Sequence, residues 1–173
     1  MITTEQIIEI LKSRNGEIAE IGTDPKGFAY GKLARGDDAE RPCMLVVDPI
    51  AEHLILRVCV LGIATVRPDG RALRALAKAN LKLMCGCVGL DDDGEVRYQI
   101  NHVCTGADET SSPEILGRLL DETVAAVSAI EKTILFCEML DAGVPRKRAH
   151  QVMATLFPED ETREPPSDAN ATL

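Results

Sequence analysis

Tryptophan is absent from the sequence, and the other aromatic residues amount to two tyrosines and three phenylalanines. Aliphatic side chains must therefore fill any core, and few rings remain on which bases could stack. Basic charge is also scarce. Lysines and arginines number 19 against 28 aspartates and glutamates, giving a formal charge of −9 and a pI near 4.8. Nucleic-acid binding needs a basic footprint, so that class of partner is not expected, and acidic repulsion disfavours anionic membranes. No apolar run approaches the roughly 18 residues of a bilayer crossing. The start, Met1-Ile2-Thr3-Thr4-Glu5-Gln6, has neither the basic opening nor the apolar stretch of a signal peptide. Cys43, Cys59, Cys85, Cys87, Cys104 and Cys137 lie mostly inside apolar runs and read as free thiols in a reducing compartment. A cytoplasmic protein is expected. There is no phosphate loop, nucleophile elbow, Cys-x-x-Cys or His-Glu-x-x-His, and His53, His102 and His150 fall far apart in sequence. We therefore expect a protein without catalysis, cofactor or metal.

What is present suits one domain with a short appendage: 173 residues, 45% hydrophobic and 27% charged. Thr3 and Gln6 have capping-box spacing ahead of Ile7, Ile8 and Leu11, with Gly16 as a left-handed stop, which predicts a helix. Strands are expected over 17–21 and 27–34, with a turn at Gly36-Asp37-Asp38. The apolar runs 43–47 and 53–61 predict two more strands, separated at Asp48-Pro49. Asp69 should cap a helix whose stripe is Leu73, Leu76, Ala77 and Leu81. A hairpin over 84–90 and 95–104 turns at Asp91-Asp92-Asp93-Gly94. Ser112-Pro113 opens the longest helix, with Leu116, Leu120, Val127, Ile130, Ile134 and Cys137 as its stripe and Gly143 as its end. Pro145 starts a short amphipathic helix with Ala149, Val152, Met153, Leu156 and Phe157 on one side. The expected fold is α+β, a mainly antiparallel sheet flanked by helices. The domain should span 1–142, the terminal helix 143–157, and an acidic, disordered tail 158–173. That tail holds five acidic residues against Arg163 alone.

Three groups of residues could carry chemistry. Asp91–Asp93 lacks the later ligands of a calcium loop and reads as a solvated hairpin tip. A two- or four-residue turn would put Leu83, Cys85, Cys87 and Gly89 on one face with Tyr98, Ile100, His102 and Cys104. Cys85, Cys87, His102 and Cys104 would then form a conceivable zinc or thiol-regulatory set, although small buried hydrophobes explain the pattern with fewer assumptions. Arg146-Lys147-Arg148 reads as the solvated face of a short helix, or as a grip for an acidic partner or the acidic tail.

Residues 73–138 resemble the YbjN family, bacterial proteins described as sensory transduction regulators that share the fold of type III secretion chaperones. The resemblance lies in Asn80 ending a helix, the turn Asp93-Gly94-Glu95-Val96-Arg97, the polar loop into Ser112-Pro113-Glu114, and a long helix with Leu116, Leu119 and Leu120. The order of the earlier elements extends it over most of 1–142. Family members often carry phenylalanine where this chain has Val88, and the terminal helix and tail are additions. The resemblance implies a compact α+β dimer without established catalysis, holding a protein segment on an exposed sheet or helix surface. Arg57, Val88 and Tyr98 are the residues expected to contact a partner. Asn80 is expected to be a buried amide capping backbone groups. An apolar homodimer interface is expected from the surplus of aliphatic strand surface, with Val58 and Val60 as positions where charge would test it.

Overall fold

The computed structural model describes residues 2–34, 43–50, 55–83, 85–105 and 112–156. The turn expected at Gly36-Asp37-Asp38, together with His53, Met84, Phe157 and the tail 158–173, lies outside them. Helix α1 (Thr4–Ser13) opens with the capping box: Gln6 N–H donates to Thr3 Oγ1, and Thr3 N–H donates to Gln6 Oε1. Strands β1 (Ile18–Thr23), β2 (Ala29–Leu33), β3 (Cys43–Ile50) and β4 (Ile55–Thr65) follow. Helix α2 (Gly70–Asn80) leads to β5 (Cys87–Leu90), β6 (Glu95–Val103), the long α3 (Pro113–Asp141) and α4 (Arg146–Leu156). The mixed α+β expectation is met: six strands form one sheet in the order β1-β2-β3-β4-β6-β5, and every neighbouring pair is antiparallel. Because β6 lies between them, β4 and β5 run parallel, and α2 is the crossover of a split β-α-β unit.

Two compact units are present, Met1–Ile134 and Leu135–Leu173, so the division falls inside α3 and ahead of the expected boundary at 142. In the first unit, alternate strand residues enter the core: Ala29 and Leu33, Cys43, Leu45 and Val47, Leu56, Val58 and Val60, then Val96, Tyr98 and Ile100. Ile7 and Leu11 of α1, Leu76 and Ala79 of α2, and Leu116, Leu120, Val127 and Ile130 of α3 complete one cluster with them. All three helices thus bury their apolar stripes on the same side of the sheet. In the second unit the Phe136 and His150 rings meet with centroids 4.7 Å apart, and Ala149 is fully buried.

Two expectations need correction. Asp48-Pro49 does not separate strands; Pro49 lies in β3 opposite Leu56. The β2 ladder ends at the Ala29–Val47 pair, so Pro49 has β4 on one side only and no β2 carbonyl awaits its missing N–H. The buried side of α2 is Ala75, Leu76 and Ala79, whereas Leu73 and Leu81 are 58% and 86% exposed and Ala77 faces solvent. Alanines let the helix approach β5 closely, and Asn80 uses that approach.

Candidate functional site: the open face of the sheet

The hairpin turn decides which residues share a face. Asp91 N–H donates to Glu95 O at 3.1 Å, and Gly94 N–H donates to Asp91 O at 3.1 Å. Asp91 Oδ1 also accepts from the Asp93 and Glu95 amides, and Gly94 holds φ at +81°. The loop is therefore the three residues Asp92-Asp93-Gly94, with glycine in the left-handed position. An odd loop pairs even with even: Val88 lies opposite Tyr98 and Cys87 opposite Gln99.

That parity overturns the shared face expected for Cys85, Cys87, His102 and Cys104. Cys85 and Cys87 are exposed, while Cys104 is buried and His102 half-buried on the core side of β6. Among the described residues, no group of three or more histidine, cysteine or acidic side chains is placed to hold a metal ion. Partial desolvation and the neighbouring Glu122 carboxylate raise the Cys85 pKa, and burial raises that of Cys59 against the pull of Arg57. Both shifts run against the lowered pKa that marks a reactive thiol.

Val88 and Tyr98, expected to contact a partner, are not on the surface. They are 5% and 1% exposed, facing each other in the core rather than a partner. The Tyr98 hydroxyl donates to Cys85 O at 3.0 Å, and burial pushes its pKa up to about 12. Val58 and Val60, fully buried on the core side, are likewise unavailable as interface positions.

Arg57 is where the sequence places it, on the surface. It belongs to the face of the sheet that no helix of the first unit covers among the described residues. The strand register orders that face into rows. Ile50, Ile55 and Val103 form one; Asp48, Arg57 and Asn101 the next; Tyr30, Val46, Cys59, Gln99 and Cys87 a third; Lys32, Met44 and Leu61 a fourth. None of their apolar members joins the core cluster. Val103 is 67% and Met44 37% exposed. Arg57 Nε donates to Asn101 Oδ1 at 3.2 Å, and its guanidinium lies 3.6 Å from Asp48. Gln99 Nε2 donates to the same Asn101 oxygen. Lys32 pairs with Glu20, and Arg97 pairs with Asp91 and Glu95. Of this face the sequence flagged Arg57 as a partner contact and Cys87 as a thiol candidate. Their neighbours are recoverable only from the register of four strands.

Both edges of the sheet carry a device against strand addition. On β5, the Asp91–Glu95 bond sets ladder bonds on odd residues, so the N–H and C=O of Val88 point outward. Asn80 takes both: Val88 N–H donates to Oδ1 at 2.8 Å, and Nδ2 donates to Val88 O at 3.0 Å. The side-chain amide stands in for a neighbouring strand. Asn80 thus caps backbone groups as expected, but from an exposed helix end and for a strand. On β1, a register irregularity between Ala19 and Gly22 holds Glu20 at φ +47°, which bends the edge away from a flat template.

The second unit offers an open groove of about 560 Å³ along one side of α4, lined by Arg146, Lys147, His150, Gln151 and Ala154. Arg146, Lys147 and Arg148 are all exposed there, the solvated helix face that the sequence suggests. No helix among the described residues is long and apolar enough to cross a membrane. Comparison with protein-family models and with curated proteins finds no match for the chain.

Proposed function

We propose that this is a non-enzymatic protein-binding module, chaperone-like or regulatory, whose interaction surface is the open face of the sheet. The observation that carries the reading is the face itself. Half-buried and exposed apolar side chains lie in rows on an antiparallel scaffold, with the polar Asp48–Arg57–Asn101 row between them and strand edges closed to addition. Exposed apolar surface with polar groups around it marks an interaction site more often than an idle one. The resemblance to the YbjN family points the same way, to a protein that holds other protein rather than transforming a small molecule. We place it in the cytoplasm on the reading of its six cysteines as free thiols. The thiol or zinc alternative loses its geometric basis with the shared face of Cys85, Cys87, His102 and Cys104.

Recovery of bound protein from the native host tests the reading. A partner should come with wild type and with Leu73→Glu, which adds charge on exposed α2, and should be lost with Leu61→Glu on the open face. Partners all kept by Leu61→Glu and all lost by Leu73→Glu would move the surface onto the helix.

A further inference from the structure

Helix α2 turns two parallel rows to solvent. Leu73, Ala77 and Leu81 form one, each about one turn beyond the last. Arg74, Lys78 and Lys82, one residue further round, form the other, and all six side chains are exposed. The helical path carries on past Asn80, because Leu81 N–H donates to Ala77 O and Lys82 N–H to Ala79 O. We propose that these rows are a second docking surface, and that its occupant is an amphipathic helical segment of another protein, acidic along one flank.

Shape is the first argument. A row at every fourth residue is the ridge by which helices pack on one another, and small Ala77 leaves a notch between two leucines for an apolar knob. Eight residues at about 1.5 Å each make the row about 12 Å long, which matches two turns of a partner helix. Charge is the second argument. Residues 67–82 hold Arg67, Arg71, Arg74, Lys78 and Lys82 against Asp69 alone, on a chain whose formal charge is −9. Asp69, at the helix start, is the counter-charge to Arg67 and Arg71. Among the described residues Arg74, Lys78 and Lys82 have no ion pair, whereas Arg14, Lys32, Arg57 and Arg97 of the same unit each have one. That row fixes the partner's sign and the flank on which its acids lie.

The same pattern turns away the nearer candidates. A second copy laid α2 on α2 would set two basic rows together. An anionic bilayer is a plane that confronts the whole acidic molecule, whereas a single segment meets the strip alone. The tail 158–173 is acidic, but it has no large apolar residue before Leu173 to meet the leucines, and Pro165-Pro166 interrupts any helix.

Two turns of helix make a small contact of the transient class, which covalent trapping retains. A photo-crosslinking residue at Leu81 of the full chain, irradiated in the native host, tests the proposal. It should give a protein adduct whose linked peptide, read by mass spectrometry, carries net negative charge and apolar residues at helical spacing. The adduct should fall at least about tenfold in Arg74→Glu/Lys78→Glu and by less in the milder Lys78→Ala, with unchanged circular dichroism. It should persist in Leu61→Glu, which sets it apart from the open-face partner. The linked segment, made as a peptide, should bind the full chain and lose at least about tenfold in affinity from low to high salt. An adduct with a lipid, a nucleic acid or this chain itself, or one indifferent to both charge variants, would overturn the proposal. Silence at position 81 with an adduct from Met44 would sink the α2 surface and leave the open face standing.

Discussion

Asn80 shows how one side chain can set the limits of a sheet. Its amide satisfies a donor and an acceptor that would otherwise sit exposed along β5. In Asn80→Ala both Val88 groups exchange Asn80 for water, and a loss of about 1–3 kcal/mol is expected for two hydrogen bonds at about 0.5–1.5 kcal/mol each. Urea denaturation should show a lower midpoint with an unchanged slope. Tyr98 offers a spectroscopic check on the core. With Tyr30→Phe it becomes the only tyrosine, and tyrosinate absorbance should rise near pH 12 instead of near 10. The sign for stability follows from which state holds the proton. The folded phenol stays protonated to about pH 12, while the unfolded one ionises near 10. Its contribution is intact below pH 10 and is lost as pH rises from 10 toward 12. A sole tyrosine titrating near 10 in folded protein would take the ring out of the core.

The β5–β6 hairpin depends on its turn at the scale of an element. At Gly94 an added Cβ would lie 2.2 Å from Val66 O, and φ is +81°; the Gly94 carbonyl also accepts from Val66 N–H at 2.8 Å. Gly94→Ala should cost at least about 1–3 kcal/mol from the left-handed backbone alone. At Gly89, φ is not positive and nothing lies within 4 Å of a built Cβ, so Gly89→Ala should change stability little. Equal effects in thermal melts would show that the turn does not govern the hairpin. The same turn marks where sequence reading succeeds and fails. The caps at Thr3 and Asp69 are legible because a cap is settled within three residues: Asp69 accepts from Arg71 N–H and Ala72 N–H. The face of a strand is settled by the loop count, and one residue more or fewer exchanges core for surface. Asp91-Asp92-Asp93-Gly94 spells a turn without fixing that count, and an even loop would put Val88 and Tyr98 on opposite faces where the structure sets them against each other in the core. The buried stripe of α2 departs from the expected one for a related reason. Periodicity ranks leucine above alanine, while close packing against β5 prefers alanine. Arg57 was legible because an arginine interrupting an apolar strand must reach water wherever the register places it.

On the scale of the whole molecule, charge is unevenly distributed along the chain. The tail 158–173 contributes −4 of the −9, and its composition offers little to offset an ordering cost of about 1–2 kcal/mol per residue. Truncation after Phe157 should leave the melting temperature nearly unchanged; a drop of several degrees would show that the tail packs. The apolar surplus lies instead on the open face, where Met44 stands 37% exposed beside Leu61. A photo-crosslinking residue at Met44, with the same probe at Leu73 as control, reads that face directly. Irradiation in the native host should give from position 44 a protein adduct that position 73 does not give. Adducts from position 73 and silence at position 44 would contradict the assignment of the open sheet face as the binding surface.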